Sequence, residues 1–379
     1  MKRILKILAA AVIVIRLIGW QIERLINRID RSKPLPTPSP EANAFHAKHF
    51  IADVHNDTLL FERNFLQRST IGHIDLPRAQ DAGVNLLVFA AATKIPLGFH
   101  ESGTNDNLPD VLSIAYGSRF SPQTFMTSFQ RAIHQSKRLH SLAGQSHGRM
   151  HVVRNQTDLE RATHGESLGA LLGFEGAQAV GDKVENVYRL FDAGYRVAGY
   201  SHFIDNRYAY SKHGASRAGL TPVGRELTQH CVELGMALDL AHLSAAGVED
   251  VLNLTSDKPL LVSHTGLRSW VDNNRTIVDE LAIEIAKRGG VIGIGFWDQV
   301  VKGNSAADVV DGIQYAIEVL GEDHVCFGSD FDGGILPSFD ISELPVLTHI
   351  MLERGMSEST VSKITGENVL RLLKSVLPA

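Results

Sequence analysis

A chain of 379 residues, 44% hydrophobic and 21% charged, has ample material for one large core, and α/β barrels routinely run to about 250 residues or more as a single unit. The formal net charge of −5 lacks the basic excess that duplex binding needs, so no nucleic-acid partner is expected. With only Cys231 and Cys326, a disulfide framework and a cysteine-rich zinc site are both excluded, and two inert buried thiols are expected.

Residues 1–30 read as a signal-anchor or signal peptide. Lys2, Arg3 and Lys6 precede the apolar run Ile7–Ile15, then Arg16, then Leu17–Trp20. The run is shorter than the roughly 20 residues that span a bilayer, and an arginine near a helix centre costs about 2.5–3.5 kcal/mol. An uncleaved anchor, a cleaved signal and an interfacial helix therefore all stay open. The proline-rich stretch 31–44 reads as a stiff, extended linker holding the domain off a membrane. On this reading the barrel occupies 45–379 and lies outside the cytoplasm, membrane-anchored or secreted.

Beyond Ala44, short apolar runs alternate with amphipathic segments, the pattern of buried parallel strands and crossover helices. The expected strands are Phe50–His55, Asn85–Ala92, Leu168–Phe174, Tyr195–Tyr200, Met236–Ala241, Pro259–Ser263, Gly290–Phe296 and Val325–Gly328. Eight strands with helical stretches between them predict a (β/α)8 TIM-type barrel, although a doubly wound sheet is not excluded by counting. Thr221-Pro222 opens a helix through Glu233, ended by Gly235, and Ser357-Glu358 opens another before Thr360–Leu373. The long stretch from Thr93 to His151, including Gly98–Asn107, is either an elaborated connection or a lid.

In a barrel the active site lies at the C-terminal strand ends. Six of the eight runs end in a metal-competent or proton-handling residue: His55 with Asp57, Glu175, His202, His242, His264 and Asp330. Each has a bland alternative, as a core histidine or a helix cap, but packing alone gives no reason for all six to fall in strand-end register. Imidazole and carboxylate without thiolate suit zinc, and also manganese, cobalt or iron. The assignment places His55 and Asp57 on one divalent ion, His242 and His264 on a second, and Glu175 between them. Two such ions hold a bridging hydroxide at neutral pH and polarise a carbonyl, with Asp330 as the acid/base group.

At these residues the sequence resembles the membrane (renal) dipeptidase family, from about Phe50 to Leu373. The likeness extends to Gly219-Leu-Thr-Pro-Val-Gly224, Ser329-Asp-Phe-Asp-Gly333 and Gly366-Glu-Asn-Val-Leu-Arg371. The resemblance implies a two-zinc dipeptidase with metal ligands His55, Asp57, Glu175, His242 and His264, and with Asp330 as acid/base. It also implies His202 as the oxyanion donor and Arg275 as the grip on the substrate carboxylate, with Arg268 as the rival. A homodimer is common in the family. The segment after His202, the loop through Lys212 and Arg217, and Ala90–Thr93 depart from the family wording, which bears on specificity more than on reaction type. Another amide, lactam or N-acyl amino acid hydrolase shares every ligand, and a non-catalytic tethered binding module is the alternative outside enzymes. His73, His134, His147 and His349 are read as solvated or structural.

Overall fold

The computed structural model describes residues 21, 23–98, 110–112, 126–255 and 258–379. Among them are nine strands, all in parallel pairs: β1 (Ala52–Asn56), β2 (Leu86–Ala92), β3 (Met150–Val153), β4 (Leu168–Glu175), β5 (Tyr195–Gly199), β6 (Ala237–Asp239), β7 (Leu261–Thr265), β8 (Val291–Ile294) and β9 (Val325–Phe327). The hydrogen-bonded order β1-β2-β4-β5-β6-β7-β8-β9, with a parallel bridge from Asn56 to Phe331, makes a nearly closed (β/α)8 barrel. These eight are the eight expected strands. The ninth, β3, was not expected: it pairs with Leu168–Leu171 of β4, where β5, which joins β4 only from Leu172, has not yet begun.

Alternation along the strands sorts the core. Ala52, Val54, Leu86, Val88, Leu171, Val197, Ala237, Leu261, Val291 and Cys326 form one buried cluster inside the barrel, with Val369, Leu372 and Leu373 of the C-terminal helix packed against them. The intervening residues, such as Phe89, Leu172, Leu238 and Ile292, belong to the larger cluster beneath the outer helices. On β1 the pairing slips by one residue between Asp53 and Asn56, and on β7 between Val262 and Thr265. Strict alternation would aim His55 and His264 away from the interior face of Val54 and Leu261. The extra residue re-aims them, as bulges beside active sites do.

Helix punctuation follows the local chemistry. Thr221 caps the helix Pro222–Glu233 by accepting from Gly224 N, with Pro222 in the first turn and Gly235 at φ 71° after its end. Ser357 caps Glu358–Ser362, but the expected single helix is broken by a π-turn at Lys363–Glu367 before Asn368–Val376. There a Cβ on Gly366 would stand 2.0 Å from the Phe50 carbonyl. Asn368 Nδ2 donates to the Glu322 and Val325 carbonyls, tying the turn to β9.

The proline-rich stretch lies against the barrel, with a turn at 31–33 at its start. Arg31 pairs with Glu343 at 2.7 Å, Leu35 packs on the core, and the helix Pro40–Lys48 begins within the expected linker, capped by Ser39. Among the described residues no helix is long and apolar enough to cross a membrane. The apolar segment before Gln21 and positions 99–107 of the expected lid lie outside the described residues. Cys231 and Cys326 are free and buried, and burial pushes the Cys231 thiol up to about 12 and the Cys326 thiol well above its ordinary value.

Candidate active site

The strand ends converge. His55 comes from β1 and Asp57 from the residue after it, Glu175 ends β4, and His264 lies in β7. His202 follows β5, His242 follows β6 and Asp330 follows β9. Glu175 Oε1 lies 3.2 Å from His242 Nε2, 3.4 Å from His264 Nε2 and 3.6 Å from His55 Nε2, while its Oε2 lies 3.6 Å from His202 Nε2. His55 Nε2 also stands 3.6 Å from Asp57 and 3.8 Å from Asp330. Three sets could each hold an ion with ligand atoms within 4.8 Å of one another: His55, Glu175 and His264; Glu175, His202 and His242; and His55, Asp57 and Asp330. Glu175 belongs to two of them and His55 to two, so the sets overlap.

Buried atoms in this cluster lack hydrogen-bond partners: His55 Nε2, Asp57 Oδ1, Glu175 Oε2 and His242 Nδ1. Buried polar groups are costly without partners, and a cation meets the need of a carboxylate oxygen and an imidazole lone pair together. The donor set fits a divalent metal. Two of the residues also hold strained backbone: His242 has φ 60° and Asp330 φ 62°, a region that side chains with a Cβ enter rarely.

The charges are out of balance without a cation. Burial, then the neighbouring Asp57, holds Glu175 well above the ordinary carboxyl value. Burial raises Asp330 to about 7, with His55 pulling down and Asp57 pushing up. Burial alone would lower the His55 imidazolium, but Glu175, Asp57 and Asp330 outweigh it and raise it to about 10. Burial keeps His202, His242 and His264 neutral, well below the ordinary histidine value.

Comparison with known proteins now decides the family. Residues 40–378 match the family model described as membrane dipeptidase, peptidase family M19. The chain belongs to the membrane dipeptidase family. Dipeptidase tcpJ of Claviceps purpurea (strain 20.1) is 27% identical over 317 residues, covering 80% of this chain and 69% of that protein. The crystal structure of dipeptidase AC, a family M19 metallopeptidase, superposes with a TM-score of 0.74 at 25% identity, covering 87% of this chain and 99% of that one. A metallopeptidase from Rhodobacter sphaeroides, solved with a phosphinate mimic of the dipeptide L-Ala-D-Ala, shares the fold with a TM-score of 0.73 at 24% identity, covering 86% and 99%. The protein is thus a metallopeptidase of the dipeptidase class.

For a membrane dipeptidase, the remaining expected residues fall as follows. Arg275 is buried, its guanidinium 5.0 Å from the centre of the Trp297 ring, and its charge reaches both Glu175 and Asp330. Arg268 instead braces its own loop, donating to Thr276 Oγ1 at 3.0 Å and to the Thr276 carbonyl at 3.2 Å. His202 packs edge-on to His242 with ring centres 4.7 Å apart. Lys212 Nζ donates to the Arg275 carbonyl at 3.1 Å, so the unfamiliar loop supports Arg275. Of the histidines set aside, His73 is buried in a structural network and His349 pairs with Glu353.

Several participants were not singled out from the sequence. His213 is fully buried with its ring 5.3 Å from that of His242. Asp239, Ser263, Asp332 and Arg63 support the cluster from beneath and beside it. A usable signal existed for Asp239: it interrupts an apolar run, and a carboxylate in a buried strand demands a partner.

Proposed function

We propose that the chain hydrolyses the amide bond of dipeptides at a binuclear centre held by His55, Asp57, Glu175, His242 and His264, with zinc foremost among the ions this donor set suits. The observation that carries the reading is Glu175: one carboxylate within 3.6 Å of imidazoles from four other strand ends, with an oxygen that has no hydrogen-bond partner. Two divalent ions there would supply a hydroxide near neutral pH and polarise the scissile carbonyl.

The chain's own residues do the rest. Asp330, whose carboxyl burial raises to about 7, takes the proton of the attacking water on a carboxylate oxygen and returns it to the leaving amine. His202, neutral and buried, donates to the oxygen that becomes negative in the tetrahedral state. Arg275 pairs with the free carboxylate of the substrate, a planar fork matched to two oxygens. The phosphinate bound to the Rhodobacter sphaeroides relative mimics a dipeptide with a C-terminal D-residue, so such dipeptides belong in the first screen.

The test is hydrolysis of a dipeptide panel, including C-terminal D-residues, by metal-replete protein and by Glu175→Gln. Turnover lost in the variant supports the reading; no turnover of any dipeptide by the wild type contradicts it. An N-terminal tether and an extracytoplasmic barrel belong to the same proposal, and protease accessibility in intact cells tests them.

A further inference from the structure

Residues 23–31 precede the barrel, yet Glu23 is 3% and Asn27 2% exposed. Their partners are not scattered. Glu23 Oε1 accepts from Arg63 at 2.5 Å, Asn27 Oδ1 accepts from Gly334 N at 3.0 Å, and the Arg28 carbonyl accepts from His73 Nε2 at 2.9 Å. Further along, Asp30 N donates to the Pro337 carbonyl at 2.7 Å, and Asp30 Oδ2 accepts from Asn304 at 3.0 Å.

Those partners frame the turn that carries Asp330. Arg63 donates its other guanidinium nitrogen to Asp332 and to the Ile74 carbonyl. His73 N donates to Asp332 Oδ1 at 2.7 Å, and Asp332 N donates to His73 Nδ1 at 3.0 Å. That second bond leaves the ring proton on Nε2, where it meets the Arg28 carbonyl. Thr58, next to Asp57, donates to Asp332 Oδ2 at 2.8 Å, and Asp57 N donates to the Phe331 carbonyl at 2.9 Å. Asp330 and Asp332 have φ of 62° and 65°, so the turn is strained twice within three residues and persists only where its surroundings over-determine it. A Cβ on Gly333 would stand 2.1 Å from Asp330 Oδ1, so slack in this turn moves straight into the acid/base carboxylate.

We propose that residues 23–31 form a strap that completes the active site, with Glu23 and Asn27 as positioning residues that hold the Asp330–Gly334 turn through Arg63 and Gly334. The role rests on Asp330 acting in dipeptide hydrolysis. Glu23 steadies Arg63, which clamps Asp332; Asn27 and the Arg28 carbonyl fasten Gly334 and His73. Without the strap the metal-binding side chains keep their strands, but the acid/base carboxylate loses its fixed pose. A misplacement of about 1 Å costs on the order of 100-fold in rate, and partial loosening costs correspondingly less.

The experiment compares the full chain with Glu23→Gln, Asn27→Ala and the double variant, each metal-replete. The double variant is expected to lose about 10-fold in kcat with KM within about 2-fold of wild type and metal content unchanged. Amide exchange at 332–334 is expected to quicken by a similar factor. Should the double variant not fold, Asn27→Ala alone, which frees only Gly334 N, carries the same readouts at smaller amplitude. Unchanged kcat overturns the proposal, whether or not exchange quickens, and so does a loss confined to KM or to metal content. A wild type that hydrolyses no dipeptide while exchange in the variants still quickens overturns the hydrolytic reading instead, so the two failures are distinguishable.

Discussion

The hydroxyl of Ser263 donates to Asp239 at 2.6 Å, from β7 to the neighbouring β6. The same oxygen lies 2.7 Å from His264 Nδ1 and 3.2 Å from His55 Nδ1. A serine has one proton to give, and Asp239 takes it, so both rings must donate through Nδ1–H. With Nδ1 carrying its hydrogen in both rings, it is Nε2 of each, turned toward Glu175, that is left to meet a metal. One hydroxyl thereby orients imidazoles from two strands.

Ser263→Ala removes this control without touching a ligand. Metal affinity is expected to fall about 10- to 100-fold, the usual cost of losing such an outer partner. Competition with a chelator of known affinity measures it; an affinity within about 2-fold of wild type would count against the tautomer argument.

Metal uptake is expected to release protons. Without metal, His55 is raised to about 10, Glu175 is raised by burial and Asp330 is raised to about 7. The cluster as a whole therefore keeps protons near neutral pH, the one on His55 above all, that a cation displaces, so affinity rises with pH and weakens as pH falls. Calorimetry at pH 6.5 and 8 in buffers of different ionisation enthalpy reads the release directly. Proton-neutral binding would contradict it.

Arg275→Ala is expected to cost about 1.5–3 kcal/mol in kcat/KM for dipeptides with a free carboxylate, the range for a hydrogen bond to a charged group. Dipeptide amides, lacking that carboxylate, should lose far less. Equal losses on both would assign Arg275 to a structural role.

Burial alone would raise the Asp332 carboxyl, but Arg63 and His73 outweigh it and hold it below 3.8. Its contribution to stability is therefore present above the unfolded value and lost as pH falls through the folded one. Asp332→Asn leaves Arg63 short of a partner and is expected to cost about 3 kcal/mol at pH 7, the lower end for breaking a buried pair because Glu23 remains. Urea unfolding at descending pH should show the gap to wild type narrowing in acid. A gap that does not depend on pH would mean the carboxylate's charge is not what matters.

The strand ends were legible because a buried parallel strand reads as a short apolar run, and the residues that the structure brings together stand where such runs end. His55, Glu175, His242, His264 and Asp330 were found that way. The strand β3 was not, since Met150-His-Val-Val is short and His151 interrupts it. The one-residue slips in β1 and β7 depend on partner strands and leave no local mark. The pairing of Arg63 with Asp332 spans 269 positions, and its tie to Glu23 crosses into a stretch that reads as targeting sequence. Contacts of that kind are set by how the barrel closes, not by any pattern within a segment.

The most direct test of the central claim is the number of metal equivalents needed to restore dipeptide hydrolysis to metal-stripped protein. A shared Glu175 between two ions predicts activity that rises to a plateau at about two equivalents per chain. A plateau at one equivalent, or none at any loading, would contradict it.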